Sequence, residues 1–142
     1  MRKALILPTK YVQGEDELLN LGYFVSTFGK KALLIANPAD VDRVRPQLEE
    51  TAKKFDITFV EGGFSGEVTR EETKRLQNVG QKEQADCIIG LGGGKAIDAS
   101  KVVAEGENLI IVPTIAAQDA PTSHSAVLYH EDGSFDDYAF FK

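Results

Sequence analysis

Ile88-Ile89-Gly90-Leu91-Gly92-Gly93-Gly94-Lys95-Ala96-Ile97-Asp98 is the stretch from which the architecture follows. An apolar run of strand length breaks into three consecutive glycines, and helical spacing resumes directly behind them. A strand that turns through glycines into a helix is the opening of a βαβ unit. Working outward, short runs rich in Ile, Leu and Val at 4–7, 32–36, 57–60, 87–91 and 109–112 read as strands. Stretches with apolar residues three and four apart at 15–28, 39–55, 69–83 and 95–104 fill the gaps as helices. Alternating strands and helices imply an α/β fold, a Rossmann-like parallel sheet with helices on both faces. The unbroken apolar strands Leu33-Leu34-Ile35 and Leu109-Ile110-Ile111-Val112 suit a sheet covered on both sides.

Local signals place several boundaries. The first helix carries Leu18, Leu21, Val25 and Phe28 on one face and stops at Gly29, read as a C′ glycine. Pro46 should kink the second helix or mark a late first turn. Thr69 and Glu72 stand in capping-box spacing at the start of the third. After Pro113 the pattern changes to an Ala-rich loop. A C-terminal β-hairpin follows, with strands at 125–129 and 137–141 and Asp132-Gly133 at its tip.

Composition bounds the function. The chain has 142 residues, enough for one domain with a real core. Its 16 basic and 22 acidic residues give a net charge of −6 with no cationic block, which argues against a nucleic-acid partner. No apolar run approaches the roughly 20 residues of a membrane span, and the N-terminal stretch is too short for a signal peptide. A single cysteine, Cys87, cannot form an internal disulfide and reads as a buried, reduced thiol. A cytoplasmic domain is expected.

The glycine stretch suits a diphosphate. Glycines allow positive φ and close approach of a ligand, while the free N–H groups and dipole of the helix N-terminus attract anionic oxygens. Lys95 adds a cation at that mouth. Neither common fingerprint fits: the third glycine of G-x-G-x-x-G falls on Lys95, and a Walker A ending at Lys95 would need Ser or Thr at Ala96. Asp98 reads either as an acid stabilising the helix dipole or as a ligand contact. Asn37, at the carboxyl end of the second predicted strand, reads either as a neutral partner for a ribose or as the N-cap before Pro38. Asp119 lies in a loop at the carboxyl end of another strand among small residues, with room to face a small polar ligand; an Asx turn is the alternative.

Other chemistries are excluded by geometry. Ser123, His124 and Asp119 have triad composition, but adjacent strand residues point to opposite faces. His124 and His130 would lie roughly 20 Å apart along a strand, too far to share a metal ion. Glu131, Asp132, Asp136 and Asp137 lack EF-hand spacing. No metal site is expected in this chain. No Lys or Arg lies between Lys101 and Lys142. The Asp119 loop therefore suits a neutral polyol or alcohol better than a phosphorylated or carboxylate substrate.

Over nearly its whole length the chain resembles the glycerol dehydrogenases of the iron-containing alcohol dehydrogenase superfamily. The resemblance rests on Gly92-Gly93-Gly94-Lys95-Ala96-Ile97-Asp98-Ala99-Ser100-Lys101, on Pro113-Thr114-Ile115-Ala116, on Asp119-Ala120-Pro121-Thr122-Ser123 and on the hairpin. It implies NAD-dependent oxidation of glycerol to dihydroxyacetone. By position, Gly92, Gly93, Gly94, Lys95 and Ala96 would cradle the pyrophosphate, with Asn37 at the adenosine ribose. Thr114, Ala117, Ser123, Ser125 and Tyr129 would line the cofactor cleft, and Asp119 would meet glycerol. Ala117, His124 and Ser125 depart from the family's pattern. Members of the family carry a helical C-terminal domain whose Asp and two His hold a divalent metal, usually zinc, and the resemblance implies that residues 1–142 do not include those ligands. Residues 1–142 are thus expected to be an NAD-binding domain that binds cofactor without turning over substrate, from a parent that is a homo-oligomer. A dehydroquinate synthase-like or phosphate-polyol enzyme, or a non-enzymatic nucleotide-binding module, is the alternative.

Overall fold

In the computed structural model, which describes residues 9–116 and 118–141, four parallel strands are hydrogen-bonded side by side. They are β1 (Lys31–Ile35), β2 (Thr58–Glu61), β3 (Cys87–Gly92) and β4 (Leu109–Pro113), in the order β2-β1-β3-β4. Register is set by pairs such as Leu34 with Ile89 and Ile89 with Ile110. From β1 the chain winds through α2 (Pro38–Phe55) to β2, and from β3 through α4 (Gly94–Ala104) to β4 on the other side. These two crossovers run in opposite directions, so a common right-handedness puts α2 and α4 on opposite faces.

The core divides accordingly. On one face, Leu34, Cys87, Ile89 and Leu91 pack with Leu21 and Val25 of α1 (Leu21–Ser26) and with Val41 and Leu48 of α2. On the other, Leu33 and Ile35 pack with Leu76 of α3 (Arg70–Glu83), with Ala96, Ala99 and Val103 of α4, and with Leu128. Each fully buried Leu or Ile contributes about 2 kcal/mol of apolar transfer free energy. The alternation of Leu33 and Leu34 between faces is why β1 reads as one continuous apolar run.

The predicted strand over 4–7 lies outside the described residues. The single helix expected over 15–28 is instead a 3-10 turn at Glu17–Asn20 followed by the short α1. Helix α2 starts at Pro38 and continues through Pro46, which therefore does not mark a late first turn. Gly29 is needed for space: a Cβ there would land on the Asp86 carboxyl, whose Oδ2 accepts from Lys30 N–H at 2.7 Å and Lys31 N–H at 2.9 Å. The capping box is half formed. Thr69 accepts from Glu72 N–H at 3.0 Å, but the buried Glu72 carboxylate accepts from Arg75 and from Ser65 N–H instead of the Thr69 backbone. Strand β4 is only half-buried, because it is the outer strand of the described sheet and lacks a neighbour on one side.

The antiparallel hairpin pairs β5 (Ser125–Tyr129) with β6 (Phe135–Phe140). Its return strand starts two residues earlier than 137 because a bulge between Leu128 and Tyr129 shifts the register. Gly133 supplies the positive φ of its turn.

Cys87 is 3% exposed, and burial, helped by the Asp86 charge, pushes its thiol up to about 11. A disulfide reagent at mildly alkaline pH is expected to leave the native chain unlabelled and to react once denaturant unfolds it. Rapid labelling of folded protein would contradict this packing.

Candidate functional site

The order β2-β1-β3-β4 reverses direction between β1 and β3, and an open parallel sheet receives its ligands outside the carboxyl ends of strands at that switch point. Asn37 follows β1 there and Gly92-Gly93-Gly94 ends β3 beside it. The glycines differ in what the fold asks of them. At Gly90 a Cβ would run into the Ser100 side chain, so β3 and α4 touch backbone to side chain. Gly92 has φ +146°, which L side chains rarely adopt, and a Cβ would lie 3.0 Å from Ala96 Cβ. Gly93 is different. Its φ of −85° suits any residue, and a Cβ would make only ordinary contact, 3.6 Å from the end of Ile115. At Gly94 a Cβ would meet just the flexible end of Gln118.

Gly93 is the N-cap of α4 and offers no side chain to its first turn. Donors at the start of that turn are therefore left for a ligand, at the positive end of the helix dipole. Thr114 closes the turn from the β4 side, its N–H donating to Gly92 O at 3.0 Å. From the other side comes Asp40, in the first turn of α2, whose Oδ2 lies 3.4 Å from where a Gly92 Cβ would stand. Nothing in the sequence pattern singles Asp40 out.

Lys95 does not stand free at the mouth. Its Nζ pairs with Glu67 Oε2 at 2.8 Å and lies 5.5 Å from the centroid of the Tyr129 ring. Tyr129 N–H donates to Val68 O at 2.9 Å, so α4, the hairpin and the loop after β2 are clipped together here. Asn37 acts as the N-cap of α2, accepting from Ala39 N–H at 3.0 Å.

Beneath the Asp119 loop lies a buried polar cluster. Asp98 Oδ2 accepts from Val127 N–H at 3.0 Å, which ties β5 to α4. Lys101, one turn on and 4% exposed, donates to Ser123 Oγ and Ser125 O at 2.9 Å each, with Asp98 Oδ1 at 3.6 Å. Burial holds the Asp98 carboxyl above the usual carboxylate range and the Lys101 ammonium below the usual lysine value. The sequence count of cations around Asp119 therefore missed Lys101, which arrives from α4. It is saturated by its own partners. The signal was present: Asp98 and Lys101 sit three apart on the same helix as buried Ile97, Ser100 and Ala104.

Asp119 is exposed. Its turn closes through the main chain, the carbonyl accepting from Thr122 N–H at 2.9 Å and Ser123 N–H at 3.0 Å, rather than as an Asx turn. Its carboxylate has no hydrogen bond among the described residues. Ser123 is committed to Lys101 rather than to His124, and the strand begins only at Ser125. Ala117 lies outside the described residues. Of the remaining expected positions, Gly92, Gly93, Gly94, Lys95, Ala96 and Thr114 meet at the β3–α4 turn, with Asn37 at the neighbouring strand end and the Tyr129 ring against Lys95, whereas Asp98, Ser123 and Ser125 belong to the buried cluster around Lys101. A concavity of about 250 Å³ between α2 and β2, lined in part by the Arg45–Glu61 ion pair, contains none of them. Among the described residues no group of three or more His, Cys, Asp and Glu could hold a metal ion, and no helix is long and apolar enough to cross a membrane.

Known proteins resemble this chain in sequence and fold. A glycolaldehyde reductase from Halobacterium salinarum is 36% identical over 137 residues, covering 95% of this chain and 38% of its own length. A glycerol dehydrogenase from Pseudomonas putida is 35% identical over 144 residues, covering 97% and 38%. The crystal structure of a probable glycerol dehydrogenase from Sinorhizobium meliloti superposes with a TM-score of 0.83 at 32% identity, covering 99% of this chain and 38% of that one. The chain thus spans well under half the length of these relatives. The family model for iron-containing alcohol dehydrogenase matches residues 8–142, and with the glycine turn seated at the sheet's switch point, the chain belongs to that family.

Proposed function

We propose that this chain is the cofactor-binding region of an NAD-dependent polyol dehydrogenase, with glycerol as the substrate. One observation carries the reading: Gly93 and Gly94 lack side chains at the uncapped N-terminus of α4, where neither φ nor rigid packing asks for glycine. A diphosphate resting on the first turn supplies the missing reason, because its oxygens must approach the backbone N–H groups directly. The relatives named as glycerol dehydrogenases support the substrate.

When bound, NAD supplies the acceptor for hydride leaving the alcohol carbon. The chain's own residues bind and orient. Backbone N–H groups at Gly94 and Lys95 hold diphosphate oxygens. Asn37, its Oδ1 used by the cap, offers its NH₂ to the adenosine ribose, and Asp40 provides the carboxylate that a ribose diol favours. Thr114, Ser125 and Tyr129 flank the cleft. Asp119 accepts a hydrogen bond from a substrate hydroxyl, which its unbonded carboxylate is free to do. Lys101, the cation that α4 brings beneath this loop, is buried and already donates to Ser123 and Ser125, so the loop suits an uncharged polyol. No three acidic, His or Cys side chains of the described chain converge on a metal, so none of these roles is assigned to a metal ligand.

Calorimetric titration with NAD, NADP and ADP, beside a glycerol-dependent assay of NADH formation, tests the reading. Saturable NAD binding without turnover is expected. A demonstrably folded chain that binds no dinucleotide would sink the proposal, and NADH formation by this chain alone would overturn its inactivity.

A further inference from the structure

At the glycine turn one side chain is left with a polar group that nothing satisfies. Gln118 is half-buried, and its Nε2 is fully buried without a hydrogen-bond partner among the described residues. Its carboxamide lies across Gly94, with Oε1 2.6 Å from where a Cβ of that glycine would stand. A buried donor without an acceptor is costly, and that cost vanishes when an acceptor arrives. Oε1 is the end that faces the turn, and a half-rotation of the carboxamide takes Nε2 out of its unpaired position and turns the NH₂ to an anionic oxygen there. The obvious side-chain cation of the turn is already occupied, since Lys95 is paired with Glu67 and set against Tyr129. The donors left at the turn are thus backbone groups and Gln118.

We propose that Gln118 is the side-chain donor of the diphosphate cradle, its Nε2 bonding a phosphate oxygen of a dinucleotide seated on the N-terminus of α4. The assignment rests on the cofactor-binding reading above. It has a second consequence, because Gln118 immediately precedes Asp119. A bond from Gln118 to the cofactor fixes the main chain next to the carboxylate that meets the substrate hydroxyl.

The test is titration of the wild-type chain and of Gln118→Leu, Gln118→Glu and Gln118→Lys with NAD and with ADP, together with their melting temperatures without ligand. Loss of a hydrogen bond to a charged group should weaken both ligands about tenfold or more in Gln118→Leu. Gln118→Glu should weaken them further by setting a carboxylate against phosphate, and Gln118→Lys should restore affinity by returning a donor of similar reach. The melting temperature of Gln118→Leu should hold or rise, since an unsatisfied buried donor has been removed. Opposite movement of stability and affinity is what a merely structural glutamine could not give. If wild type binds NAD and Gln118→Leu binds it equally well, the donor assignment fails and the cofactor reading stands. If Gln118→Leu loses stability and affinity together and Gln118→Lys recovers neither, Gln118 is structural and the assignment fails too. If folded wild type binds neither ligand, the cofactor reading falls and this assignment falls with it.

Discussion

Replacing Gly93 with valine is expected to abolish NAD binding while leaving the thermal stability of the chain nearly unchanged. The backbone at Gly93 is extended and accepts a β-branched residue, and the new Cβ would touch only the end of Ile115 at ordinary distance. The same side chain projects into the space a diphosphate must enter to reach the α4 donors. Blocking two hydrogen bonds to a charged group, at about 1.5–3 kcal/mol each, weakens binding on the order of a hundredfold or more. Gly92→Val is the contrast. There φ is +146° and Ala96 stands in the way, so stability and binding should fall together. Calorimetry and thermal melts on both variants separate the two cases. A Gly93→Val chain that keeps wild-type affinity would remove the ground for a cradle at this turn.

The second large effect belongs to Lys101. Lys101→Met keeps the apolar length of the stem but removes the ammonium that holds Ser123, Ser125 and, at 3.6 Å, Asp98. It leaves a mostly buried carboxylate without its counterion, and breaking such a pair costs about 3 kcal/mol at neutral pH. The sign of the pH dependence follows from Asp98. Its folded pKa is already raised by burial, and loss of the Lys101 charge raises it further. A raised carboxyl destabilises the folded chain at pH above its folded pKa and ceases to do so once protonated, so the deficit of Lys101→Met should shrink as pH falls. Adding Asp98→Asn should recover part of the loss at neutral pH, because the amide still accepts from Val127 N–H without an unpaired charge. Urea denaturation across pH measures this directly. A deficit that stays constant from neutral to acid pH would show that Asp98 is not the group left exposed to the loss.

How much was legible can be read from particular residues. The ends of α2, α3 and α4 fell where the apolar spacing stopped, although Asp56, Gln84 and Glu105 rather than glycines take the left-handed caps. The α1 region was misread as one helix because Leu18 and Leu21, three residues apart, fit a 3-10 turn as well as an α-helical one. The Thr69–Glu72 spacing placed the start of α3 correctly but not the Glu72 carboxylate, since Arg75 and the Ser65 amide outbid the Thr69 backbone for it. At the site, Lys95 looked like a free cation because Glu67 lies 28 residues away along the chain. Asp40 and Gln118 gave no pattern at all.

What the sequence by itself determined was the alternation of strands and helices, the glycine turn and the family resemblance, because periodicity, turn chemistry and local spacing are encoded between near neighbours. The tertiary structure alone decided which glycines the backbone needs and which it leaves to a ligand, which cations are already spent in ion pairs, and which donor is left without an acceptor. Those are properties of distances between residues far apart in the chain, and close packing across the β1–β3 switch point is what sets them.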